Sequence, residues 1–127
     1  MYQAALVDTD FKRGEQVISA LEAAGIRVAV AMWVHFSEYE DWRFVLASKD
    51  LDAVDMGDAY LKVNRILKEA GMSGRRTPLI FIMRTADPFI RALRKVFSRT
   101  ADVAGMRFGG QRWGDRFVDE AYAYKIA

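Results

Sequence analysis

Two apolar segments, Ile26–His35 and Asp41–Ser48, are separated by only Phe36-Ser-Glu-Tyr-Glu40, and this spacing constrains the fold more than any other feature. Parallel pairing needs a crossover of roughly a dozen residues, so segments this close form an antiparallel hairpin. With His35 facing Asp41, the expected register sets Val34 against Trp42, Met32 against Phe44 and Val30 against Leu46, giving one wholly apolar face. The other face pairs Trp33 with Arg43 and His35 with Asp41, a polar cluster at the hairpin end.

Around the hairpin the periodicity switches repeatedly between strand and helix. Ala4–Val7 reads as a short strand, followed by a helix with Phe11, Gly14, Val17, Ile18, Leu21 and Ala24 at helical spacing, stopped by Gly25. Asp8, Thr9 or Asp10 supplies its cap. Lys49–Gly57 reads as a charged loop, and Asp58 opens a second amphipathic helix that ends at Gly71. Ser73-Gly-Arg-Arg76 is a basic turn. Leu79–Met83 is apolar without alternation, the pattern of a central strand buried on both faces. Asp87-Pro88 starts a third helix by combining a capping carboxylate with a preset backbone angle. Val103–Phe108 and Phe117–Ile126 read as strands joined through a Gly109-Gly110 turn. The expected fold is therefore α+β, a single mixed sheet flanked by three helices in the order β-α-β-β-α-β-α-β-β.

A chain of 127 residues, 52% hydrophobic and 28% charged, accommodates one domain over residues 1–127 with a packed core. That balance disfavours disordered and membrane-embedded classes. The absence of cysteine excludes disulfides and thiolate chemistry, and a single histidine excludes sites needing two imidazoles. With no leader-like start and no apolar run near the roughly 18–20 residues of a membrane span, the expectation is a cytoplasmic protein without membrane contact.

Three groups of residues carry candidate chemistry. Asp8 and Asp10 lie where a strand is expected to enter a helix, a position from which paired carboxylates hold Mg²⁺ in phosphatases and nucleases, with Asp87 as the third ligand. His35 with Asp41 has the composition of a base and its orienting carboxylate, although a hairpin-end ion pair is the commoner use of such a pair. Trp33 with Arg43 suits a cross-strand cation–π contact. Gly109–Gly114 lacks the spacing of a phosphate-binding loop and reads as a hairpin loop.

The opening Asp8-Thr-Asp10, Gly25 and the stretch Thr77–Pro88 resemble a response-regulator receiver domain. The phosphoacceptor does not follow that pattern: Asp50, Asp52 and Asp55 lie in the charged loop, and the closing Lys-Pro signature is absent. Asp10-Phe11, Gly14, Ala20-Leu21, Ala24-Gly25, Ala31-Met-Trp33, Trp42-Arg43, Ala59-Tyr60, Asp87-Pro88, Arg107-Phe108 and Ala121-Tyr-Ala-Tyr124 are similar to a group of small bacterial proteins without an assigned activity. That resemblance covers most of the chain and implies a shared fold.

Charge is distributed unevenly. Residues 1–60 hold 5 basic and 11 acidic side chains and residues 61–127 hold 14 and 6, so a formal +2 conceals halves of −6 and +8. Arg91, Arg94, Lys95 and Arg99 form a stripe on the third helix, with Arg75, Arg76, Arg107, Arg112 and Arg116 as further cations and Trp113 as a stacking surface. The pattern suits phosphate-backbone contact, while charge neutralisation within a homo-oligomer is another use of it. The expectation is a non-catalytic binding or interaction module whose arginine-rich half meets an acidic protein or a nucleic acid. The alternative is a Mg²⁺- or Mn²⁺-dependent phosphoesterase or nuclease centred on Asp8 and Asp10.

Overall fold

The computed structural model describes residues 5–72, 74, 77–98, 100 and 102–127. The hairpin is present: β1 (Val30–Phe36) pairs antiparallel with β2 (Arg43–Ala47). Helix α1 (Asp8–Ala23) precedes it. After β2 come a one-turn helix α2 (Lys49–Asp52), α3 (Met56–Glu69), β3 (Ile80–Ile82), α4 (Pro88–Phe97), β4 (Met106–Phe108), β5 (Gln111–Trp113) and β6 (Arg116–Ile126). One mixed sheet runs β3-β2-β1-β6-β4, with β5 also on β6. The α3 crossover makes β2 and β3 parallel, and the other pairs are antiparallel.

Both faces of this sheet are covered. Val30, Met32, Val34, Phe36, Val45 and Ala47 pack with Phe89, Ile90 and Leu93 of α4 on one side. Ala31, Trp33, Phe44 and Leu46 pack with Val17 and Leu21 of α1, Leu51 of α2, and Ala59, Val63 and Leu67 of α3 on the other. All seven β1 residues are buried. Each fully buried Leu, Val or Phe contributes about 1.5–3 kcal/mol of transfer free energy, so these two layers are the main stabilising term.

The double coverage corrects the hairpin register. The observed partners are Val34↔Arg43, Met32↔Val45 and Val30↔Ala47, one residue from the expected pairing. An apolar face identifies register only when the opposite face is wet; here both are dry, and the slip exchanges the faces of Trp42 and Arg43.

Three element assignments also change. No strand forms at Ala5–Val7, and Ala4 lies outside the described residues; α1 begins at Asp8, leaving no turn to bring a strand into the sheet. The loop at 49–57 contains α2, a fourth helix, because the Ser48 hydroxyl accepts the Asp50 N–H at 3.1 Å and Leu51 is buried beneath it. β3 is an edge strand rather than a central one, and Leu79, just before it, is 47% exposed. Its unalternating sequence reflects parallel pairing under helices, not a central position. The helix stops and the Asp87 cap form as expected: Gly25 and Gly71 take φ of 87° and 84°, and Asp87 accepts the Phe89 N–H at 2.9 Å. The basic turn has only Gly74 among the described residues; Ser73, Arg75 and Arg76 lie outside them. No described helix is long and apolar enough to cross a membrane.

Candidate binding surfaces

Regular strand pairing breaks where β4, β5 and β6 meet. Phe108 pairs with Ala121 and Gln111 with Val118, so β4 and β5 lie in one continuous register along β6, interrupted at Gly109-Gly110. Opposite that interruption, β6 slips against β1: His35 pairs with Glu120 but Phe36 pairs with Val118. Asp119 is the extra residue of a β-bulge, and such bulges redirect side chains. The Gly110 N–H donates to both the Val118 and Asp119 carbonyls, at 2.8 and 3.2 Å. A Cβ on Gly109 would stand 2.2 Å from the Asp119 carbonyl oxygen, so glycine is required by close approach of the strands. The expected hairpin loop at Gly109–Gly114 is therefore a break in pairing at Gly109-Gly110, a short strand and then the turn.

The bulge brings Asp119 to His35. His35 Nδ1 bonds Asp119 Oδ2 at 3.1 Å and Nε2 bonds the Glu40 carbonyl at 3.0 Å. Both partners accept, so the ring makes both bonds when both nitrogens carry protons. The His35 side chain is 7% exposed and that of Asp119 is 36% exposed. The buried histidine thus positions a carboxylate that faces outward. Asp41, its expected partner, is exposed.

Asp119 and Glu120 line a groove of about 400 Å³ with Trp42, Arg107, Phe108 and Tyr122. A smaller hollow of about 240 Å³, lined by Asp10, Arg13, Trp33 and Asp41, shares Leu6 and Trp42 with it. Within the groove, Arg107 lies 5.3 Å from the Phe11 ring and 5.4 Å from the Tyr122 ring, and those rings are 4.4 Å apart. Such cation–π contacts hold the guanidinium beside the rings without using up its N–H donors.

The expected polar cluster is divided between the two sheet faces. Trp33 donates from Nε1 to the Asp10 carbonyl at 3.3 Å and meets Phe44 edge-on, inside the α1-side core. Arg43 lies on the other side, 3.8 Å over Tyr39 and 5.5 Å from Phe81. Arg116 reaches the same Phe81 ring at 5.3 Å and pairs with Glu38 at 2.6 Å. Burial works against the charge on Arg116, but the hydrogen bond to Tyr39 and the Glu38 carboxylate hold its pKa above the ordinary arginine value.

The three aspartates of the expected metal site are not brought together. Asp8 is exposed, Asp10 accepts the Val7 N–H at 2.9 Å, and Asp87 caps α4. Helices α1 and α4 lie on opposite faces of the sheet. Among the described residues, no group of three His, Asp or Glu side chains is placed to share a metal ion.

Three cations of the expected stripe lie on α4. Arg91 and Lys95 are exposed on α4, and half-buried Arg94 donates from Nε to the Ala127 carbonyl at 2.7 Å. Arg99 lies outside the described residues. Trp113 packs inward, 5.4 Å from Phe97 of α4, so strand alternation directs neighbouring Arg112 away from α4. Its guanidinium donates to the Asp115 carbonyl at 3.3 Å. The sequence groups neither Asp119 nor Glu120 with a candidate site, and Tyr122 enters only through the resemblance; two adjacent carboxylates in the middle of a strand are the available signal of a bulge. Comparisons of the chain with protein-family models, curated proteins and solved structures return no match.

Proposed function

We propose that the protein is a non-catalytic binding module that meets a phosphate-bearing polymer with the outer face of α4. One observation carries this reading: α4 holds Arg91, Arg94 and Lys95 and no acidic residue within its bounds, whereas α1, α2 and α3 each mix the two signs. The halves of −6 and +8 become, at the helices, a difference between sheet faces. Cations at i, i+3 and i+4 share one helix face, about 5–6 Å apart at their Cβ atoms, so a polyanion can engage them together.

Fluorescence anisotropy with a short RNA and a short duplex, over a series of salt concentrations, tests the proposal. Three cations give a slope of log K against log salt of about −2 to −3. The triple variant Arg91→Glu, Arg94→Glu, Lys95→Glu abolishes binding while retaining the native circular dichroism spectrum. Equal binding by the folded triple variant, or binding of polyglutamate in place of both nucleic acids, overturns the reading.

A further inference from the structure

We infer that the groove beside the Asp119 bulge is a binding site for a small zwitterion, an amino acid with an aromatic or large apolar side chain. The site is on the opposite side of the sheet from α4 and does not depend on the polyanion reading. Its walls present two kinds of polar group. Arg107 lies against the Phe11 and Tyr122 rings and makes no ion pair among the described residues, so its N–H groups remain available to a carboxylate. Asp119 is held from behind by buried His35, and Glu120 stands beside it, so their oxygens are available to an ammonium group.

The apolar lining, Trp42 and Tyr122, supplies flat surface for the side chain of such a ligand. A groove of about 400 Å³ falls within the range of small-molecule sites, in which apolar walls carry a few placed polar groups. One cation and two carboxylates in one groove disfavour a simple anion, and the unpaired guanidinium disfavours a simple cation. A molecule carrying both charges satisfies both sets. The backbone supports this specialisation: Gly109, Gly110 and the Asp119 bulge depart from regular pairing at the groove wall.

Titration of the intact ¹⁵N-labelled chain with L-phenylalanine, 3-phenylpropionate and 2-phenylethylamine, followed by NMR, separates the contributions. Phenylalanine is expected to shift the amides of 107–109 and 119–122 saturably. Loss of either charge is expected to weaken binding by roughly tenfold or more, the scale of a charge-assisted hydrogen bond. In Arg107→Gln, phenylalanine should bind no better than phenylethylamine; in Asp119→Asn with Glu120→Gln, no better than phenylpropionate. No saturable shift up to about 10 mM, a concentration above the range of weak specific binding, overturns the inference. So does equal affinity for the three probes, a comparison the unmodified chain supplies even if a variant fails to fold.

Discussion

A tyrosine hydroxyl sets how closely α1 lies on the sheet. Tyr124 Oη donates to the Phe11 carbonyl at 2.7 Å, and Gly14 leaves the space, since a Cβ there would stand 2.3 Å from that oxygen. Tyr124→Phe should cost about 1 kcal/mol at neutral pH, the usual net value of one hydrogen bond. Burial pushes the Tyr124 pKa well above its ordinary value of 10.0. A raised folded pKa stabilises fully below the unfolded value, and that contribution is lost as pH rises from about 10 toward the folded value. Urea denaturation at pH 7 and pH 10.5 should therefore show a smaller alkaline loss in Tyr124→Phe than in the parent chain. Equal losses would contradict this role. Gly109 has the firmer backbone constraint, because the atom a Cβ would meet there is the Asp119 carbonyl rather than a movable side chain. Gly109→Ala should destabilise by about 2 kcal/mol or more, measured in the same way.

Among the elements, α2 is tied to the segment before β1 by Asp50, which accepts the Arg27 backbone N–H at 2.8 Å and the guanidinium at 3.2 Å. These hydrogen bonds, the side-chain one foremost, hold the Asp50 pKa below the ordinary carboxylate value. A depressed folded pKa stabilises above the unfolded value, about 4, and the effect is lost as pH falls through the folded one. Asp50→Asn should be less stable than the parent at pH 7, with the difference closing by pH 2 in chemical denaturation. A gap that persists in acid would show that the charge is not responsible. Elements marked by their own residues were legible in the sequence: the α1 stop at Gly25, the α4 start at Asp87-Pro88 and the hairpin from its short spacer. Features decided by distant neighbours were not. His35 lies between β2 and β6, and only the three-dimensional arrangement assigns it Asp119 instead of Asp41. The hairpin register was hidden because α4 covers the face that a one-sided pattern would leave wet. The groove was missed because two adjacent strands break alternation at the same level.

For the whole molecule, the sheet separates two chemistries. The side bearing α4 presents cations, while the side bearing α1 holds the Asp119 groove and acidic residues mixed with basic ones. The helices on the two faces thus differ in charge, cations alone on α4 against mixed signs on α1, α2 and α3, which is the central claim of this account. Its most direct test is an NMR footprint of a short RNA on the intact chain at low salt. The account expects the largest amide shifts across 88–98, centred on Arg91, Arg94 and Lys95, with 107–109 and 119–122 unmoved. Shifts concentrated on α1 or in the groove, or no shifts at protein and RNA concentrations of about 100 μM, where non-specific binding is measurable at low salt, would contradict it.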